Sequence, residues 1–267
     1  MKRFTVLFGL VLAGIVALSA LVSLVWTPYN PNLVSSSRYS PPSWTHILGT
    51  DRLGMDTFSR IMTGAQTTLV VGILAVAIAA LIGVPLGIIA GMGRKVAGEL
   101  IGRASDVLFA LPTLLLAVLL AAAKGASVTT ATVAIGIATI PVFQRMARAA
   151  TLTIMSQDYV LAAEVSGTPR SMIALRHVLP NIAPLLGVQA AASFSMAILA
   201  EAGLSYLGLS ASPTTPTWGR MLRDANLFAA PLQAIIPGAA IALAVLGFNL
   251  LGDGVRDYLD PRLQEVR

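Results

Sequence analysis

The chain has 267 residues, of which 56% are apolar and only 11% charged, with a mean hydropathy of +0.80. A soluble domain carries about 25% charged residues, so this chain cannot cover a water-facing surface, and collagen, coiled coil and disorder fail for want of Gly periodicity, heptads or charge density. The absence of cysteine excludes a disulfide scaffold, a thiolate zinc site and a Cys nucleophile, and the composition points to an all-α integral membrane protein.

A bilayer core about 30 Å thick takes roughly 20 apolar residues as a helix, and six stretches meet that length. The first runs from Phe4 to Trp26. Its Lys2-Arg3 start and the small residues of Ala17-Leu18-Ser19 also fit a cleaved signal peptide. Apolarity continues past that site to Trp26, an interfacial aromatic, which favours an uncleaved anchor. The second span is Leu69–Met92, and the third is Ala104–Ala123 with one acid, Asp106. The fourth is Gly125–Phe143, the fifth Ile182–Ala200 reaching Glu201, and the sixth lies within Leu227–Gly252. Pro85, Pro112 and Pro141 sit inside spans and are expected to kink them.

Lys and Arg set the orientation. With the N-terminus inside, twelve of the eighteen fall on the cytoplasmic side, which puts both termini in the cytoplasm. Net charge is +6, but no single basic face exists, so nucleic acid is not an expected partner. The boundaries follow: residues 1–66 form an anchor helix and external segment, 67–255 a five-helix core, and 256–267 a cytoplasmic tail.

Three connecting segments are long. Two are external, Thr27–Gln66 and Ala202–Ala230. The third, cytoplasmic Arg148–Asn181, reads as two short helices with a break. Tyr159–Ser166 has good helix formers, and Gly167 suits the left-handed residue that ends a helix. Thr168-Pro169 reads as an N-cap with proline at the first helical position. Met172 and Leu175 then share one face beside Arg170 and Arg176, and Leu179-Pro180-Asn181 is expected to stop the helix. Such a helix suits docking into a groove of another protein, and it equally suits lying on lipid headgroups.

The run Tyr159-Val160-Leu161-Ala162-Ala163-Glu164-Val165-Ser166-Gly167 with Arg176-His177-Val178-Leu179-Pro180-Asn181 resembles the EAA loop of binding-protein-dependent ABC importer permeases. His46 to Asp56, Glu201 to Leu209 with Pro216-Thr217-Trp218-Gly219, and Gly252 to Arg262 resemble the C-type permease of the dipeptide, oligopeptide and nickel group. Leu161 replaces that family's first Glu, Glu164 stands where a basic residue is common, and Met55 stands where Arg is frequent. The resemblance implies a six-helix type I importer permease of the bacterial cell membrane. It would form a heterodimer with a second permease subunit, joined by two cytoplasmic ATPase subunits and an extracytoplasmic substrate-binding protein. Pro169–Arg176 would be the coupling helix, and Ala162, Ala163, Glu164, Gly167, Thr168, Pro169, Arg170, Met172, Leu175 and Arg176 the ATPase-coupling residues. Dipeptides, oligopeptides, nickel or metallophore complexes and haem are all compatible cargoes.

No GxxxxGK[ST] phosphate loop occurs, so the chain is expected to be non-catalytic and to carry no cofactor, with ATP and Mg held by the ATPase partners. His46 and His177 lie on opposite sides of the membrane, so no protein-built metal site is expected; His177 is expected to be hydrogen-bonded in the coupling region. Gly83, Gly87 and Gly91 form a small-residue stripe for helix packing, within the subunit or against the partner permease. Asp106 suits pairing with Arg145 or Arg148. Glu201, Trp218 and Arg220 are candidates for pathway or binding-protein contact; Glu201 also suits a helix-end acid in water, and Trp218 a lipid-interface anchor. A secondary transporter would show an inverted repeat and midplane ion ligands, and an intramembrane enzyme would show HExxH, GxS or paired aspartates; none of these is evident.

Overall fold

A computed structural model describes residues 2–93, 95–210, 215–225 and 230–259. Pro213, Leu227 at the start of the sixth expected span, and the tail from residue 260 lie outside the described residues. Among those described, all regular structure is helical: α1 (Lys2–Ser23), α2 (Thr57–Met92), α3 (Lys95–Ala110), α4 (Thr113–Lys124), α5 (Val128–Met155), α6 (Asp158–Val165), α7 (Arg170–Ile173), α8 (Leu179–Tyr206), α9 (Trp218–Asp224) and α10 (Leu232–Leu259). Five helices are long and apolar enough to cross a membrane, and the α3–α4 pair makes a sixth span if counted as one.

In that pair the kink expected of Pro112 is a sharp break within the expected third span. α3 and α4 meet at 83° across Leu111-Pro112. Proline lacks an N–H and its ring clashes with the carbonyl four residues back, so the helix breaks and restarts at Thr113. Pro85 and Pro141, by contrast, sit inside α2 and α5 without ending them.

α2 is 36 residues long, about 54 Å at 1.5 Å per residue, and therefore exceeds a bilayer core of about 30 Å. It begins where Asp56 caps it, the carboxylate accepting from Ser59 N at 2.8 Å. Ten residues of the expected outer segment, 57–66, are thus helical. α2 lies parallel to α5, and the glycine stripe explains why. A Cβ on Gly83 would stand 2.7 Å from Ile140 O, one on Gly87 2.5 Å from Gln144 O, and one on Gly91 2.7 Å from Thr151 Cβ. Only hydrogen at these positions lets the backbones touch, so the stripe packs within the subunit in this structure.

Apolar clusters follow one another along α2. Ala65 joins Val16, Ile198, Trp218 and Ile241 near its start. Val71 and Ala75 join Ala117, Ile135 and Leu204 midway. Ala79 and Val84 join Phe143, Val160, Ile173 and Val178 towards its end. α1 packs on α10 and α2, where Gly9 and Gly247 allow close approach.

Candidate functional site

The segment after α5 is built by local chain chemistry. α6 ends in a closed turn in which Gly167 N donates to Glu164 O (3.0 Å) and Thr168 N donates to Ala163 O (3.1 Å). This double closure needs a left-handed residue after the helix, and Gly167 supplies it at φ +80. The first amides of the next helix, Met172 N and Ile173 N, donate to Pro169 O, so Thr168 is not its cap. Pro169 takes the N-cap position in extended conformation, without a side-chain cap, and α7 starts at Arg170. The expected Thr168 cap is corrected accordingly.

The expected stop at Leu179-Pro180-Asn181 is also absent. Ala174–Val178 forms a π-helical turn that joins α7 to α8, with Leu179 N donating to Ala174 O. A π turn widens the helix, which accommodates Pro180 where an α-turn would clash. Helix therefore runs unbroken from Arg170 to Tyr206, and α7 is mechanically continuous with a membrane span.

Three side chains that sequence reasoning did not single out root this segment in the bundle. Val160, Ile173 and Val178 are fully buried against Phe143, Ala147 and Ile182. Arg170 Nη1 donates to Met92 O at the end of α2 (3.3 Å), a favourable cation position at a helix C-terminus. His177 lies 6.0 Å from the Tyr159 ring, and its backbone oxygen accepts from Asn181 Nδ2. Outward, Leu161, Val165, Met172 and Leu175 are exposed, Val165 at 90% and Leu175 at 68%. Ala162, Pro169, Arg170 and Arg176 are exposed as well, while Ala163, Glu164 and Thr168 are half-buried. The segment is thus apolar on both sides, one face packed on the spans and the other uncovered.

At the opposite end of α2 the structure revises the expected contacts. Glu201 is 1% exposed and accepts from Ser210 Oγ at 3.2 Å, so it is neither a solvated helix-end acid nor available to a docking protein. Trp218 is 2% exposed. Its Nε1 donates to Ile61 O at 3.0 Å, and its ring fills the space over Gly64. Trp218 therefore locks α9 onto α2 and faces neither lipid nor a partner. Arg220 pairs with Asp224 (3.5 Å), which also receives Arg52 (3.4 Å). Asp106 pairs with Arg145 at 2.7 Å, the guanidinium lying 4.3 Å from the Phe109 ring centre.

Two further residues at this end carry no obvious sequence signal. Arg60 is buried, donates from Nη1 to Pro31 O (3.1 Å) and to Met55 sulfur, and lies 3.6 Å from Asp51. Gln233 donates to Thr50 O at 2.7 Å and accepts from Thr57. Together they tie the segment 27–56 to α2 and α10.

Comparison with known proteins adds three findings. Residues 83–265 match the family of binding-protein-dependent transport system inner membrane components. The chain is 41% identical to the dipeptide transport system permease protein DppC of Alkalihalophilus pseudofirmus, over 86% of this chain and 76% of that protein. It is 40% identical to the di/tripeptide permease of Pseudomonas aeruginosa (97% and 88%) and to the glutathione permease GsiD of Pectobacterium atrosepticum (98% and 90%). Among solved structures it is similar to a chain of the MetNI methionine ABC transporter, with a TM-score of 0.59 and 14% identity over 73% of this chain and 96% of that one; this likeness concerns the fold.

Proposed function

The chain belongs to the family of binding-protein-dependent transport system inner membrane components, and on that premise we infer that it is one permease subunit of an ATP-driven importer of dipeptides or oligopeptides. The peptide cargo rests on the printed names of the three relatives. Nickel, metallophore and haem cargoes lack that support.

The observation that carries the coupling role is the two-sided segment from α6 to the π turn. Val160, Ile173 and Val178 root it in the spans, and Val165, Met172 and Leu175 stand uncovered. A rigid body that presents apolar side chains and Arg176 outside the bundle is suited to a groove in an ATPase subunit. Continuity of α7 with α8 would carry a push at Met172 directly into a membrane helix. Ala162, Ala163, Glu164, Gly167, Thr168, Pro169 and Arg170 shape or flank this contact.

In this reading the α6–α7 side is cytoplasmic, as are both termini, and the segment 27–56 is external. Residues 1–66 serve as anchor and external lobe, 67–255 as permease core and 256–267 as tail. A second, non-identical permease subunit completes the pathway, two ATPases bind ATP and Mg, and this subunit carries no cofactor and catalyses no reaction itself. The test is reconstitution of the complex in liposomes. ATP-dependent uptake of a dipeptide, abolished by omitting the binding protein, is expected; uptake that persists without ATP and follows an ion gradient refutes the reading. Because the chain has no cysteine, Ser36→Cys and Ser171→Cys report topology without background. Labelling of Ser171→Cys from outside intact cells overturns the orientation.

A further inference from the structure

A hollow of about 580 Å³ opens between α8 and α10, lined among others by Leu199, Gly203 and Tyr206 of α8, Leu222 of α9, and Gly238 and Val245 of α10. Glycine makes it. In the α2–α5 stripe a Cβ would strike the facing helix, whereas at Gly203 and Gly238 a Cβ meets nothing within 4 Å. These two glycines leave room that no neighbouring side chain takes up among the described residues. At one end the same two helices are drawn together: the Phe194 and Phe248 rings lie 4.4 Å apart, and Ser195 Oγ donates to Val245 O at 3.5 Å. The hollow is therefore a fixed recess bounded by these contacts. It runs along Leu199–Tyr206 and Gly238–Val245, about 10 Å at 1.5 Å per residue.

The chemistry of the recess selects its occupant. Apart from the Tyr206 hydroxyl, its side chains are aliphatic, so water has too few partners to settle there. An apolar cavity of about 150 Å³ takes one benzene ring, and this recess is several times larger and elongated. A helix is about 10–12 Å across with its side chains. A helix of a second subunit would bridge the mouth and leave the recess empty, which close packing disfavours. A flexible hydrocarbon chain fills it. α8 and α10 are both long and apolar enough to cross a membrane, where acyl chains surround them. Polar groups stand at the other end of the recess. Tyr206, in the last turn of α8, is half exposed, and the exposed Arg223 lays its guanidinium against Gly208, two residues further on.

We propose that this recess is a phospholipid-binding site, in which one acyl chain lies between α8 and α10 and the anionic headgroup pairs with Arg223 and accepts from the Tyr206 hydroxyl. Charge complementarity selects an acidic lipid over a neutral one, by about fivefold for one arginine. A bound chain supplies the packing that Gly203 and Gly238 omit and so stiffens the α8–α10 contact. Only the membrane-spanning fold is required, so the site is independent of which cargo the complex carries.

The test uses the assembled complex in nanodiscs that contain phosphatidylglycerol with a diazirine midway along one acyl chain. Illumination is expected to label the α8 and α10 peptides around Gly203 and Gly238. Gly203→Leu and Gly238→Leu fill the recess where space is open; they lower labelling about tenfold by displacing at least two methylenes and leave the thermal midpoint intact. Arg223→Gln, an exposed change that leaves the fold alone, removes the roughly fivefold preference for phosphatidylglycerol over phosphatidylcholine. Equal labelling of the parent and both leucine variants overturns the proposal, as does an unchanged lipid preference in Arg223→Gln. Displacement of the label by free palmitate, or crosslinking of Ala242→benzoylphenylalanine to a second permease subunit instead of lipid, overturns it as well.

Discussion

Replacement of Gly167 isolates backbone conformation from packing. Its φ is +80, and a Cβ built there meets nothing within 4 Å, so a substitution acts through the left-handed backbone alone. That conformation costs an L-residue about 1–2 kcal/mol, less for Asn and more for β-branched side chains. If the residue escapes to negative φ, the closing bonds Gly167 N–Glu164 O and Thr168 N–Ala163 O are lost, at roughly 0.5–1.5 kcal/mol each. The local penalty for Gly167→Val is therefore about 2–3 kcal/mol, enough to lower the occupancy of the native turn by a factor of 30 or more. Gly167→Ala falls between, and Gly167→Asn stays closest to the parent. Binding-protein-stimulated ATP hydrolysis and peptide uptake in proteoliposomes are expected to rank Gly, Asn, Ala, Val. Equal coupling in Gly167→Val and Gly167→Asn refutes the reasoning, because size and polarity have nothing to act on at this open site.

Three further outcomes follow from packing and charge. Gly87→Ala forces a Cβ against Gln144 O and Ala147 Cβ, and overpacking of about 1–3 kcal/mol outweighs a helix-propensity gain of about 1 kcal/mol. Its thermal midpoint falls below that of Gly14→Ala, where a Cβ meets nothing. Ile173→Ala opens a cavity under the coupling segment and costs about 2–5 kcal/mol, observed as loss of coupling together with faster proteolysis of α6–α7. Asp106→Asn breaks a pair whose side chains are 67% and 46% exposed, so the thermal midpoint changes by the equivalent of less than about 1 kcal/mol.

Legibility of the candidate site divides along the same physical line. Gly167 was readable because helix-ending chemistry is local, and the two faces of residues 159–178 were partly readable from Met172 and Leu175. The roots Val160, Ile173 and Val178 were not, since an apolar residue in a short amphipathic stretch does not announce whether bundle or partner covers it. Trp218 and Trp44 make the contrast sharper. Both lie in proline-rich segments expected to be external, Trp44 is fully exposed, and Trp218 has the arginines beside it that mark many binding sites. Its indole nevertheless donates to Ile61, 157 residues away in the chain, and is spent on holding α9.

By itself, the sequence determined what depends on composition and near neighbours: a membrane-spanning helical chain, six apolar stretches, a break at Gly167 and a small-residue stripe on α2. Tertiary structure alone decided that the stripe meets α5, that Pro112 turns the chain by 83° while Pro180 is absorbed in a π turn, and which tryptophan is covered. The reason is that hydropathy and turn propensity are summed along the chain, whereas burial is a property of residues brought together from far apart. A glycine shows that close approach is allowed, and only the facing helix shows to what.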